Sequence, residues 1–425
     1  MKVYSLADFG VTKHEIILQN GLKAIFIEKP FAPIFAEITI GAGSIFNPDD
    51  NGLAHFTEHV LVGASKKYPR KELFASIVNE VGGASSASTG LQTMAIECEV
   101  ALPEHLVQMK EHFCQVLEEV YLSPKLLIKE KGVITAEITR KQSEPSHYFG
   151  LHVNHIFSQG TRWGYSNLGT IDSINALCIE DIMSFYDTHM KVENMILVIC
   201  GGCTVDEIKK TFGDIAIPSG GRKSVLPLDP EPLKPGQRIF FEQDIEETNV
   251  GISFQGPILG TRESIIYGFV MSSAHVGLDS RFFTKLRNER GLVYGISFGG
   301  RYFQKLRYDG TGVTIPSNRT DETIDAILEC YSELLKEGMT DVQVKDRINR
   351  RYFSEKRNMQ KSKDWVNEFN DFYEELNPLI GDYPDQFNFW QTITAEEITD
   401  VLTKYISLDN FHLVINGRES SKKYF

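Results

Sequence analysis

Two histidines and a glutamate lie within five residues in the segment HFTEH, residues 55–59. Residues four apart on an α-helix share one face, so His55 and His59 can both point at one object. Glu58 places its carboxylate beside that face. Two imidazoles are a natural pair of zinc ligands, and a carboxylate beside the metal is what a hydrolytic zinc site needs as general base. The alternative is a pair of surface or core histidines, because a five-residue pattern is short.

A zinc site built on these two histidines needs a third protein ligand from elsewhere in the chain. A candidate lies in the segment EKGVITAE, residues 130–137. Glu130 and Glu137 are seven residues apart, which is two helical turns, so they share one face of the helix that this segment predicts.

The bulk composition bounds the class of protein. The chain has 425 residues, 42% hydrophobic and 24% charged, which is ordinary for a globular protein with two or more cores. Its net charge of −13 argues against a nucleic-acid binder and permits peptide partners. No apolar run approaches the roughly 20 residues that span a bilayer. The N-terminal stretch has neither an apolar signal region nor an Arg-rich presequence, so we expect a cytoplasmic protein.

Two further groupings of potential ligands have simpler explanations. The pair Cys200 and Cys203 has redox or zinc spacing, but it follows an apolar run and precedes a helix start, so a strand-to-helix turn is the simpler account. The six cysteines are scattered, which is not a disulfide framework. His152 and His155 are three residues apart and are interpreted as ordinary helix or loop surface.

A proline-rich stretch divides the chain near its midpoint. Five of the 16 prolines lie between residues 218 and 235, where fixed φ angles and missing donors favour an extended linker. We therefore predict an N-terminal domain over 1–217, a linker over 218–236 and a C-terminal domain over 237–425.

The two predicted domains share an internal repeat. Residues 179–201 align without gaps on residues 395–417, and both copies predict a helix, a short turn, a buried strand and a glycine. A duplication explains this better than two unrelated helix–strand units. The fold class is therefore α+β, with two homologous domains, each a mostly antiparallel sheet with helices packed on one face.

The pattern of apolar residues predicts the individual elements. A hairpin through Asn20-Gly21 is predicted over 13–28. The other predicted strands cover 35–42, 237–242 and 248–255. The predicted helices cover 51–63, 69–81, 103–120, 124–143, 262–290, 320–337 and 340–360.

The motif and its surroundings resemble the pitrilysin family of zinc peptidases, which carries the inverted H-x-x-E-H motif. Glu137 follows His59 after 77 intervening residues, and Glu130 lies seven residues before Glu137. The lead-in GLAHF, Tyr68-Pro69 and Gly82-Gly83 are similar to the family's pattern. So is the segment RNERGLVYG of the second half, which holds Arg287 and Tyr294. The second half has no H-x-x-E-H motif, as in the family.

The resemblance implies a role for each of these residues. His55, His59 and Glu137 would bind one Zn²⁺ per chain, and Glu58 would be the general base. Glu130 would not bind the metal but would orient one of the ligand histidines. The alternative interpretation of Glu130 is a solvated charge on the helix face. Arg287 and Tyr294 would hold substrate carbonyl groups or stabilise the oxyanion, and their alternative is plain packing. A peptide substrate would add a strand to the edge formed by Ser86, Ala87, Ser88 and Thr89.

One position departs from the family. Ser86 stands where the family usually has asparagine, which puts one contact to the bound peptide in doubt. The resemblance also implies a zinc endopeptidase that forms a homodimer around a closed chamber, or a heterodimer with a related subunit. Two rivals are a non-catalytic partner subunit and a metal site on another fold, either a hydrolase or a zinc-stabilised binding module.

Overall fold

The computed structural model describes residues 2–6, 9–118, 120–370, 372 and 383–425. Within these ranges the strands are β1 Lys2–Leu6, β2 Val11–Ile17, β3 Lys23–Glu28, β4 Ile34–Ile40, β5 Ala84–Thr89, β6 Met94–Val100, β7 Met195–Gly201, β8 Arg238–Glu242, β9 Glu247–Gln255, β10 Ser297–Tyr302, β11 Arg307–Pro316 and β12 His412–Gly417.

The helices of the same ranges connect and cover these strands. They are α1 Leu53–Gly63, α2 Lys71–Asn79, α3 Leu106–Leu117, α4 Pro124–Gln142, α5 Pro145–Ser158, α6 Ile171–Ala176, α7 Ile179–His189, α8 Val205–Phe212, α9 Arg262–His275, α10 Arg281–Phe283, α11 Thr320–Glu337, α12 Asp341–Asn358, α13 Ser362–Phe369, α14 Tyr383–Trp390 and α15 Ala395–Tyr405. A π-helical turn over Thr284–Glu289 follows α10. No helix in the described part of the chain is long and apolar enough to cross a membrane.

The strands form two sheets with the same internal order. The first runs β1-β2-β3-β7-β4-β6-β5 and the second, taken from its other edge, runs β8-β12-β9-β11-β10. The order β3-β7-β4-β6-β5 of the first sheet therefore recurs in the second. Each sheet has one parallel pair, β3 with β7 and β8 with β12, and its other pairs are antiparallel. The α+β class with mostly antiparallel sheets is confirmed.

The predicted repeat coincides with equivalent elements. Helices α7 and α15 begin at Ile179 and Ala395 and end at His189 and Tyr405, so both ends are 216 residues apart. The strands that follow, β7 and β12, each lie between a parallel and an antiparallel neighbour. The match therefore extends from sequence to sheet topology, as a duplication requires.

Helices cover both faces of the first sheet at its centre. Ala36 and Ile38 of β4 belong to an apolar core that includes Phe56 of α1. On the other face, Thr39 lies 2.8 Å from the side-chain oxygen of Asn370, the residue after α13. Helix α13 contacts β3, β4 and β7. Burial on two faces explains why β7 is apolar without alternation and why Glu37 and Thr39 of β4 are buried.

One predicted helix is wrong as a single element. The stretch 262–290 divides after His275, because Gly277 adopts φ +105°, a left-handed conformation that favours glycine. Ser280 then caps a new helical segment by accepting a hydrogen bond from the amide of Phe283 at 3.4 Å. The other predicted helices and strands are confirmed, with ends that differ by a few residues. Cys200 ends up in β7 and Cys203 in the turn before α8, as predicted.

The chain divides into two compact units. The first contains residues 1–142, 165–227 and 354–373, and the second contains residues 143–164, 228–353 and 374–425. The first unit holds the seven-stranded sheet and the second the five-stranded sheet. Each half of the chain thus lends a segment to the other unit. The predicted boundaries of the duplicated domains stay a prediction, because contact between residues does not define where a duplication begins.

Two facing glycines of the second sheet provide a test of its packing. A Cβ on Gly310 of β11 would lie 1.8 Å from the main-chain oxygen of Ile252, whereas one on Gly299, its partner in β10, would meet nothing within 4 Å. Gly310→Ala should therefore lower the free energy of unfolding by about 1–3 kcal/mol, because the backbone must move. Gly299→Ala should have little effect. Equal losses in denaturant unfolding would contradict this packing.

Candidate zinc centre

Helix α1 is held at its start by features of the preceding loop. Gly52 has φ +72°, and a Cβ there would lie 2.5 Å from the main-chain oxygen of Leu168, so a side chain does not fit. The side chains of Asn51 and Asn47 accept hydrogen bonds from the first two amides of the helix, at 3.1 and 2.9 Å. Nearly all of α1 is buried. The lead-in residues therefore fix a helix whose polar side chains lie inside the protein.

The packing of α4 against α1 brings the three predicted ligands together. Oε2 of Glu137 lies 3.9 Å from Nε2 of His55 and 3.9 Å from Nε2 of His59. One ligand atom from each residue lies within 4.8 Å of the other two. Glu137 thus joins two histidines that lie at least 78 residues before it in the sequence. Both helices belong to the first unit.

The geometry and chemistry of this cluster fit a zinc ion. Zinc bonds of about 2.0–2.1 Å at tetrahedral angles separate two ligand atoms by about 3.4 Å, close to the observed distances. Burial, and then repulsion from His59, lower the pKa of His55 to about 4. His55 is therefore neutral, which is the form of imidazole that binds metal. Three protein ligands would leave a fourth position for water, as in catalytic zinc sites.

Glu130 lies behind the cluster and contacts one of its histidines. Its Oε2 atom is 3.3 Å from Nδ1 of His59, and its side chain is 1% exposed. Burial opposes ionisation of Glu130, but the hydrogen bond and charge of His59 outweigh it, so the pKa of Glu130 lies below its ordinary value. Nδ1 of His59 therefore donates to Glu130, and this leaves Nε2 of His59 available to a metal ion.

Glu58 is fixed from the neighbouring strand. Oγ1 of Thr89, in β5, donates a hydrogen bond to Oε2 of Glu58 at 2.9 Å. Burial raises the pKa of Glu58, and the bond from Thr89 opposes that rise. A carboxyl whose pKa is raised towards neutrality is better matched to general-base work at neutral pH.

The predicted substrate strand, β5, is an edge of the first sheet and pairs with β6. Ala87 packs against the core and Thr89 contacts Glu58, so these two side chains point towards α1. Ser86 donates to Glu97 at 2.6 Å, and Lys363 of α13 contacts the same carboxylate oxygen at 2.8 Å. Ser86 is therefore hydrogen-bonded to one partner of an ion pair.

Arg287 and Tyr294 lie together in the second unit. Nη1 of Arg287 donates to the main-chain oxygen of Tyr294 at 2.6 Å, and its guanidinium lies 4.6 Å from the centre of the Tyr294 ring. The π-helical turn carries Arg287 and also presents it to the ring of Phe283. Tyr294 is 85% exposed, so its hydroxyl faces solvent in this unit.

Sequence reasoning missed some of the residues that surround the candidate base. Thr89 was assigned to the substrate strand, and its contact with Glu58 has no sequence signal because it joins distant segments. Lys71 and His112 line a cavity of about 240 Å³ that also contacts Glu58. One signal existed for His112, because it falls on the apolar face of the amphipathic helix α3.

The fold and the cluster define an α+β protein of two units, with an inverted zinc-peptidase motif in the first. Two family models match: the insulinase model of peptidase family M16 over residues 29–171, and the M16 inactive-domain model over residues 177–350. The chain therefore belongs to the M16 family of insulinase- and pitrilysin-like proteins. The insulinase model covers all four predicted site residues of the first unit, His55, Glu58, His59 and Glu137.

Relatives of the chain are named as peptidases. An uncharacterised zinc protease of Rickettsia bellii is 25% identical over 303 residues, 70% of this chain and 71% of that protein. An uncharacterised zinc protease of Bacillus subtilis is 23% identical over 77% of this chain and 80% of its own length. The mitochondrial-processing peptidase subunit beta of Bos taurus is 26% identical over 49% of this chain and 44% of its own length.

Solved structures share the fold over nearly the whole chain. A peptidase M16 inactive domain from Pseudomonas fluorescens superposes with a TM-score of 0.85 at 16% identity, covering 96% of this chain and 98% of its own. A protease from Helicobacter pylori gives a TM-score of 0.81 at 17% identity, covering 95% of this chain and 99% of its own. At these identities the match establishes the fold alone.

The contact between Glu130 and His59 predicts a graded effect on zinc binding. His59→Ala should lose stoichiometric zinc, because it removes a ligand. Glu130→Gln should keep zinc but weaken its affinity about 10–100-fold, because the amide orients the imidazole less well. Chelator competition with metal analysis measures both.

Glu111→Gln is the matched control, since Glu111 is bound by Lys67 and lies outside the cluster. Full zinc occupancy in His59→Ala would contradict the ligand assignment. An unchanged affinity in Glu130→Gln would leave Glu130 without its orienting role.

Proposed function

We propose that the chain is a zinc-dependent endopeptidase that hydrolyses peptides or short unfolded segments, such as a precursor or leader peptide. The observation that carries this proposal is the cluster of His55, His59 and Glu137 with the carboxylate of Glu58 beside it. The names of the relatives from Rickettsia bellii and Bacillus subtilis support it at the level of zinc protease.

The residues of the site divide the reaction between them. When bound, zinc would polarise the scissile carbonyl and lower the pKa of a coordinated water to about 7. Glu58 accepts a proton from the attacking water, whose oxygen forms a bond to the carbonyl carbon. The carbon–nitrogen bond then breaks, and Glu58 passes the proton to the leaving nitrogen. Thr89 holds Oε2 of Glu58 and so orients the carboxylate during both transfers.

The peptide would bind as an added strand on β5. The edge position of β5 leaves one side of its main chain open to pairing over residues 84–88, whereas the oxygen of Thr89 accepts a bond from Asn167. Main-chain pairing accepts many sequences, because it uses groups that all residues share. Arg287 and the exposed hydroxyl of Tyr294 are proposed to bind substrate carbonyl groups.

A non-catalytic partner subunit is the second candidate. The name "inactive domain" belongs to the model that matches residues 177–350, and the structural match from Pseudomonas fluorescens carries the same name. The motif residues lie outside that segment, within residues 29–171. The hydrogen bond from Thr89 to Glu58 favours catalysis, because it orients a carboxylate that does not belong to the predicted ligand set.

Replacement of the proposed base separates hydrolysis from metal binding. Glu58→Gln should lower peptide hydrolysis by about 10²–10⁴-fold or more, because the amide cannot accept a proton. Zinc content should stay at that of the wild type. Glu99→Gln, an exposed carboxylate of β6, is the control and should keep full activity. Hydrolysis by Glu58→Gln near the wild-type rate would exclude Glu58 as the base.

We further propose that two copies of the chain form a homodimer that encloses the substrate. The chain carries the zinc motif and the Arg287–Tyr294 pair together, so it needs no second gene product to supply either. The bovine relative is named a subunit, which keeps a heterodimer as the alternative. Light scattering should give about twice the chain mass of 48.0 kDa. A fully active monomer, or activity that appears only with a second related chain, would contradict the homodimer.

A further inference from the structure

A cavity of about 240 Å³ opens beside the proposed base in the first unit. Glu58 and His59 form the part of its wall that adjoins the zinc cluster. Val62, Phe74 and Ala87 give it apolar walls, and β5, the proposed substrate strand, forms one side. A peptide paired with β5 would therefore direct side chains into or away from this cavity in alternation.

The least exposed polar residue that lines the cavity is His112, on α3. Its side chain is 2% exposed, and neither ring nitrogen has a hydrogen-bond partner within the described residues. Its ring packs against those of Phe74 and Phe113, at centroid distances of 5.1 and 5.8 Å. Buried polar side chains are nearly always hydrogen-bonded, so an unpaired imidazole lining a cavity calls for a ligand.

The protonation state of His112 limits the chemistry of that ligand. Burial lowers the pKa of His112 to about 4, so the ring is neutral and offers one donor and one acceptor. A carboxylate can only accept, so it can pair with the donor nitrogen alone, and an ammonium can only donate, so it can pair with the acceptor nitrogen alone. A hydroxyl or a primary amide can both donate and accept, so it can pair with either nitrogen. The matching group is therefore uncharged.

The charges at the cavity wall agree with an uncharged ligand. Lys71 lines the cavity and its positive charge acts on Glu58, so a cation and a carboxylate lie near each other there. Neither sign of charge on a ligand gains a clear advantage. The apolar walls of the same cavity instead suit a hydrophobic stem.

We propose that His112 is a specificity-determining residue. It selects peptides that place, near the scissile bond, an uncharged side chain with an apolar stem and a hydrogen-bonding end, as in tyrosine and glutamine. The inference rests on the proposed peptidase function and specifies the substrate class of that site. The edge strand binds any main chain, and His112 adds selection for one side chain.

Matched peptide pairs test this selection. One pair compares tyrosine with phenylalanine, and the other compares glutamine with methionine. Each pair is tested in turn at each of the two residues on either side of the scissile bond. At one position the wild type should prefer the hydrogen-bonding member of both pairs by about tenfold in kcat/KM, the effect of one buried hydrogen bond. The same peptides, bound to Glu58→Gln protein without cleavage, should show the preference in Kd.

Variants of His112 show whether the preference arises there. His112→Phe should remove it without loss of thermal stability, because a phenyl ring fits between Phe74 and Phe113 and no polar atom is left unpaired. His112→Gln should retain part of it. His155→Phe, which replaces an exposed histidine of α5, is the control and should retain all of it.

The outcomes separate this inference from the proposed function. Hydrolysis without a preference at any position, or a preference that survives His112→Phe, would overturn the role of His112. A protein that cleaves none of the peptides would refute the peptidase function, and the binding measurements would still decide the role of His112. An equal Kd for both members of every pair would then overturn it.

Discussion

The arrangement of the first unit around α1 depends on one constraint, which is that this helix buries polar side chains. His55 and Glu58 lie inside the first unit, where an unpaired charge or polar group costs several kcal/mol. Each contact around them reduces that cost. The pKa of His55 is lowered until the ring is neutral, Glu130 accepts from His59, and Thr89 donates to Glu58. Helix α4 and strand β5 supply Glu130 and Thr89 as these partners. A metal cation bound by His55, His59 and Glu137 would further offset the cost of burying these side chains.

The duplicated sheet shows that the scaffold does not itself require this cluster. Helix α9 follows β9 as α1 follows β4, and the strands around both have the same order. The buried positions of α9 include Ile266, Phe269 and Val270, where α1 has the zinc motif among its buried residues. Both copies of the fold therefore bury a mainly apolar helix, and α1 in addition buries His55 and Glu58 of the motif. Conserving the scaffold while changing a few side chains allows one unit to hold a metal and the other to provide different contacts.

The sequence could predict what periodicity and local spacing determine. The four-residue spacing of His55 and His59 predicted their shared face, and the repeat predicted equivalent helices and strands. Other features depend on contacts between distant segments. Nothing near Thr89 indicates that it reaches Glu58, and nothing in residues 354–373 indicates that they pack with the first unit. The break after His275 depends on Gly277, whose effect on a helix cannot be distinguished from that of a tolerated glycine by pattern alone.

In the proposed function, the edge strand and the cavity have different tasks in peptide recognition. Pairing with β5 would supply affinity and register but could not distinguish one residue from another, because it engages main-chain groups. Discrimination requires a group whose energy depends on the side chain that meets it. An unpaired buried imidazole meets that requirement, since an apolar ligand leaves it unsatisfied whereas a hydroxyl or amide pairs it. His112 is destabilising in the free protein for the same reason that it is selective, and an apolar residue would suit its helix face better. The position of this cost in the cavity beside Glu58 is the physical argument that it serves the substrate.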